Sequence, residues 1–113
     1  MRYLCLGYHE RGTGDGMSEA ERASLREAQA ALAKNGYLIQ AGTIEREQDA
    51  TTLRFATCSV VVAEGALSGA AETLRKMVVV EAADLNHAIQ LMSQLPLMRP
   101  GGCVEIYPMC EGK

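Results

Sequence analysis

The sequence predicts an α+β fold in which helices cover a sheet. Three observations lead there. Apolar runs of strand length alternate with two segments of helical period, in the order strand, helix, two or three strands, helix, strand. The length, 113 residues, suits one domain over 1–113, and no linker, repeat or low-complexity segment divides it. At 48% hydrophobic and 22% charged residues the chain can bury a core. With one Phe and no Trp, that core must come from Ala, Val, Leu, Ile and Met.

The first strand is "RYLCLGY" (2–8). Alternation points Leu4, Leu6 and Tyr8 one way and Tyr3, Cys5 and Gly7 the other; the leucine face is expected under the helices. Ser18 with Glu21 three residues on forms a capping box, so a helix starts there, runs to about Asn35 and stops at Gly36. Its buried stripe is thin: Leu25, Ala28, Ala31 and Leu32. "YLIQAGTI" (37–44) is the second strand and "EREQDA" a polar turn. "TTLRF" (51–55) and "CSVVVA" (58–63) read as a hairpin, and "EGALSGAA" (64–71) as a loop or short helical turn. "KMVVVEA" (76–82) is β-branched enough for a buried strand. Asp84 caps a second helix with an apolar stripe of Leu85, Ala88, Ile89, Met92 and Leu95, ended by Pro96 and Pro100. "CVEIYP" (103–108) closes the chain. This order is that of a ferredoxin-like β-α-β-β-α-β sheet with both helices on one face.

Several function classes recede at once. The net charge is −3 and no run of Lys or Arg occurs, which argues against a nucleic-acid partner. No segment has the length to span a bilayer, and the N-terminal apolar run is too short for a signal peptide, so no membrane partner and a cytoplasmic location are expected. Cys5, Cys58, Cys103 and Cys110 are far apart; the first three lie in apolar runs and are expected as reduced, buried thiols. The stretch "RGTGDG" (11–16) sits between strand and helix, as a phosphate loop would. It lacks a third glycine, since that position is Met17, and it lacks the Gly-Lys-Ser/Thr of a nucleotide loop. It is read as a plain loop, with no tight dinucleotide binding and no cofactor expected.

The opening "MRYLCLGYHE", the segment "MSEAERASLREAQAALAKNGYLIQAGTI", the segment "EGALSGAAETLRKMVVVEAADLNHAIQLM" and the closing "CVEIYP" together resemble the YCII-related family, in particular its branch named for an Asp-Gly-Pro-Phe motif. The likeness spans nearly the whole chain and rests on order and spacing. It implies a ferredoxin-like homodimer whose sheets face each other, a dimeric α/β-barrel-like assembly. Some relatives are thought to use a His–Asp pair for acid–base chemistry, and one activity in the wider family is a dehydrochlorinase. Many relatives of that branch accompany extracytoplasmic-function sigma factors, which implies a regulatory setting. Two departures weaken a catalytic reading. The motif reads Glu64-Gly65-Ala66-Leu67, and the helix position where relatives often carry His is Ala28.

The remaining candidates are few. His9 ends the first strand on the parity of Cys5 and Gly7; if a dimer cleft lies on that side, His9 is the candidate general base at its mouth. Glu64 replaces the motif Asp and is a second candidate acid or base. Arg54 must face a cleft or solvent and, in a cleft, would bind a carboxylate or phosphate; Tyr8 and Gly65 are further ligand-binding candidates. His87 falls opposite the apolar stripe of its helix and is expected to face water. No His/Cys/Asp/Glu set has metal spacing. "CSVVVA" and "KMVVVEA" are apolar on both parities while two helices cover only one face, so a homodimer is expected. The expected function is a small-molecule-binding or regulatory module lacking the family's helix His; the alternative is an acid–base enzyme of lyase or dehydrochlorinase type using a cleft around His9.

Overall fold

A computed structural model of the protein describes residues 1–10, 18–44, 46–66, 72–97 and 99–110. The elements are β1 (Arg2–Glu10), α1 (Glu19–Lys34), β2 (Leu38–Thr43), β3 (Thr51–Ala56), β4 (Ser59–Glu64), β5 (Glu72–Glu81), α2 (Leu85–Ser93) and β6 (Gly102–Pro108). The fold is α+β. Four strands form an antiparallel sheet in the order β2-β5-β1-β6, and β3 with β4 forms a separate two-stranded hairpin. The arrangement is compatible with a ferredoxin-like sheet that carries the hairpin as an insertion. The "RGTGDG" segment lies outside the described residues.

Both helix starts are fixed locally. Ser18 Oγ accepts the Glu21 N–H at 3.1 Å and the Glu21 carboxylate accepts the Ser18 N–H at 3.0 Å. The Ser18 backbone N–H first, and then the Ser18 hydroxyl, hold the Glu21 carboxyl below its ordinary range. At α2, Asp84 Oδ1 accepts the His87 N–H and His87 Nδ1 accepts the Ala83 N–H, both at 2.9 Å. The His87 ring also meets Tyr37 edge-on, centroids 5.0 Å apart. His87 is therefore half-buried and part of the helix cap, not the water-facing residue expected from helical phase.

The core lies between the sheet and the two helices. Tyr3, Cys5, Val78 and Val80 come from the sheet, Leu25 and Leu32 from α1, and Ala88, Leu91, Met92 and Leu95 from α2 or just past it. The face of β1 is thus the reverse of the expected one: Tyr3, Cys5, Gly7 and His9 lie under the helices, and Leu4, Leu6 and Tyr8 point to the open side. Both sets are apolar enough to be core. The small Cys5 and Gly7 are what let helices approach closely. The stripe of α2 is also rotated from expectation, with Leu91 inside and Leu85 and Ile89 exposed.

The hairpin was expected to help build the sheet, and it does not. Leu53 faces Val62 and Phe55 faces Val60 across the β3–β4 pairing, so the four side chains share one face. They are 59–78% exposed. Of the cysteines only Cys5 is buried, and burial pushes its thiol up to about 11; Cys58, Cys103 and Cys110 are exposed free thiols, contrary to the expectation for Cys58 and Cys103.

Candidate functional site

A cavity of about 490 Å³ opens between α1 and the sheet. Its floor is β1 at Gly7–His9 and β5 at Arg75 and Lys76; α1 walls it with Arg22, Arg26 and Gln29; the segment after α2 adds Leu97 and Arg99. The floor depends on an irregularity. Gly7 pairs with Lys76, yet Tyr8 pairs with Leu74, so Arg75 is an extra residue in β5. Strict alternation would send Arg75 to the open face. The bulge lets two consecutive basic residues line the same cavity.

Five of the chain's eleven Lys and Arg residues border this cavity, and no Asp or Glu does among the described residues. Lys76 is buried and donates from Nζ to Thr43 Oγ1 at 2.9 Å; burial pushes its ammonium below the ordinary lysine range. Glu21 reaches Arg99 at 3.8 Å from the start of α1. Two donors, Gln29 Nε2 and Arg75 Nε, are buried with no hydrogen-bond partner among the described residues. An unmet buried donor costs roughly 1–3 kcal/mol, more for a charged group, and these two lie around one cavity. Leu25, Ile44 and Leu97 supply apolar wall.

His9 is 8% exposed and borders the cavity. Gly101 sits beside it with φ +83°, and a Cβ there would lie 3.2 Å from His9 Nε2. Glycine at 101 therefore serves both the backbone turn and the room for the imidazole. The expectation that His9 stands at an open-face cleft is corrected by the reversed face of β1: it faces the helices.

The other expected site residues are scattered. Tyr8 also borders the cavity, but its hydroxyl bonds Glu105; burial first, and then that carboxylate, push the phenol up to about 12. Arg54 stands exposed on the hairpin opposite Val61, and Glu64 ends β4 exposed opposite Thr51. Neither borders the cavity. Gly65 has φ +90°, donates its N–H to Ala50 C=O and accepts from the Thr52 hydroxyl, each at 2.7 Å; it closes the base of the hairpin. Among the described residues no group of His, Cys, Asp and Glu is placed to hold a metal.

Sequence reasoning missed Arg22, Arg26, Gln29, Arg75, Lys76 and Arg99. One signal was available: Arg22, Arg26 and Gln29 follow the i, i+4, i+7 spacing of a single helix face, shared with Leu25 and Leu32. A basic stripe beside the buried stripe points at the sheet edge, not away from it.

No described helix is long and apolar enough to cross a membrane. No curated protein matches the chain. The family model of the YCII-related domain matches residues 1–113, all the elements above included. The chain belongs to the YCII-related domain family.

Proposed function

We propose that this YCII-related chain is a small-molecule-binding module whose ligand sits in the cavity beneath α1. The observation that carries this reading is the pairing of a cavity of ligand size with buried, unmet donors on two different elements, Gln29 of α1 and Arg75 of β5. Roughly 300–1,000 Å³ is usual for sites that take small ligands. Gly65 is the one residue of the Asp-Gly-Pro-Phe motif kept in Glu64-Gly65-Ala66-Leu67, and on it we place the chain near that branch. The test is a fragment screen followed by nuclear magnetic resonance of the Leu25 and Leu97 methyls. Ligands are expected to move those signals and leave the hairpin's Leu53 unmoved. A screen whose hits move only Leu53, or none of the three, sinks the reading.

His9 supports a second reading, an acid–base enzyme, because its imidazole borders the same cavity as the basic residues. On that reading a cavity ligand is turned over, and His9→Asn removes turnover by roughly 100-fold or more while binding persists. Turnover that survives this change puts the base elsewhere.

The second part of the proposal is a homodimer formed through the open sheet face and the hairpin. A compact 12.2 kDa monomer exposes about 6,000 Å². This chain exposes 7537 Å², an excess of about 1,500 Å². An excess of that size would suit each partner's share of an interface of the obligate class, roughly 2,000–5,000 Å² in total. The radius of gyration, 15.7 Å against about 13 Å for a compact chain of this length, points to the same extended arm. Apolar side chains on both parts, Leu4, Leu6, Met77 and Val79 on the sheet and Leu53, Phe55, Val60 and Val62 on the hairpin, suit a second copy of the same chain.

A further inference from the structure

The charge of the cavity says more than its volume. Outside it the chain carries fourteen acidic residues against six basic ones, yet Arg22, Arg26, Arg75, Lys76 and Arg99 gather around one small space. Like charges repel, and Lys76 is buried among them with a neutral hydroxyl, Thr43 Oγ1, as its bonded partner. Folding brings these residues together from α1, β5 and the segment after α2, so no single local sequence feature accounts for the whole cluster. A binding site for negative charge does.

From the arrangement we infer that the cavity takes a small organic anion bearing at least two negative charges, a phosphate monoester or a dicarboxylate, with its charged head on Arg75 and Gln29 and its apolar body against Leu25, Ile44 and Leu97. The inference rests on the binding-module reading above and adds the ligand class. Arg75 Nε and Gln29 Nε2 are the unmet buried donors, and a doubly charged oxyanion offers acceptors to both at once. Arg26, Arg75 and Lys76 alone bring three positive charges to the cavity, so a single negative charge would leave most of that field unneutralised. The apolar wall of Leu25, Ile44 and Leu97 favours an organic anion over a bare inorganic ion. An acidic exterior around a basic cavity focuses anions into it rather than onto the surface at large.

Calorimetry on the full-length protein tests this with four probes that share a benzene ring: phenyl phosphate, phthalate, benzoate and benzyl alcohol. At least one of the two dianions is expected to bind saturably, about tenfold or more tighter than benzoate, with benzyl alcohol weaker still. Added salt should weaken the dianion and leave benzyl alcohol unchanged. Arg75→Gln should weaken the dianion by roughly 10- to 100-fold. If Arg75→Gln fails to fold by circular dichroism, Arg26→Gln, at an exposed position on α1, is expected to weaken it in the same direction. Whichever dianion binds tighter identifies the head group. Equal affinity for all four probes, or no saturable heat from either dianion at millimolar concentration, overturns the inference. A neutral compound that shifts the Leu25 and Leu97 methyls while both dianions leave them unmoved overturns the ligand class and leaves the binding module standing. If no compound shifts them, both fail.

Discussion

Gly102→Ala is expected to destabilise the fold by roughly 3 kcal/mol, the upper part of the range for forcing extra volume into a packed site. A Cβ at this first residue of β6 would lie 2.6 Å from the Leu97 carbonyl oxygen and 3.1 Å from that of Arg99. Both are backbone atoms, so no side chain can swing away to make room. The turn that must move is tied on two sides: Gly102 donates its N–H to Arg99 C=O at 2.8 Å, and Glu10 donates to Gly101 C=O at 2.9 Å. It also carries Leu97 and Arg99 to the cavity, so ligand affinity should fall together with stability. Gly42→Ala is the matched control. The same added methyl on β2 would meet only the flexible end of Met77, at 3.8 Å, and should cost little. Urea unfolding of the two variants beside wild type decides it. A Gly102→Ala protein as stable as Gly42→Ala would mean that the 99–102 turn gives way freely and does not hold Arg99 in place.

Local rules made much of this fold legible. The Ser18–Glu21 box, the stop at Gly36 with φ +81° and the Asp84 cap each need only a few neighbouring residues, and each is where the sequence put it. The face of β1 was a different kind of problem. Alternation says that two faces exist; it does not say which is inside when Leu4, Leu6 and Tyr8 oppose Tyr3, Cys5, Gly7 and His9. Close helix packing favoured the smaller set, and the bulky leucines went to the open side. The cavity was hidden for a related reason. Its cations come from positions 22, 26, 75, 76 and 99, and Arg75 joins them only through a register shift that no propensity announces. The hairpin misled differently. "CSVVVA" has the composition of a buried strand, and within the single chain its valines are exposed.

Those exposed valines set up the other large effect. On the homodimer proposal, Leu53→Ser combined with Phe55→Asp is expected to raise the dimer dissociation constant by about 100-fold or more and leave the monomer fold intact. The two side chains are 65% and 78% exposed in the single chain, so removing them takes nothing from its core. In a dimer they would be among the largest apolar groups on the interface. Burying a side chain of this size contributes roughly 1.5–3 kcal/mol, and a central aromatic anchor 2 kcal/mol or more. Asp at position 55 adds the cost of desolvating a charge opposite Val60. Light scattering on a size-exclusion column should give twice 12.2 kDa for wild type and 12.2 kDa for the double variant at micromolar concentration. The exposed Cys103, on the open sheet face with Tyr8 as its β1 partner, gives an independent readout. Its thiol should react slowly with a bulky disulfide reagent in wild type and quickly in the double variant. Cys110, beyond β6, should react quickly in both. A wild-type chain that scatters as a monomer at micromolar concentration, with Cys103 as reactive as Cys110, would leave the apolar face and the hairpin without a second copy to cover them, and the dimer would be wrong.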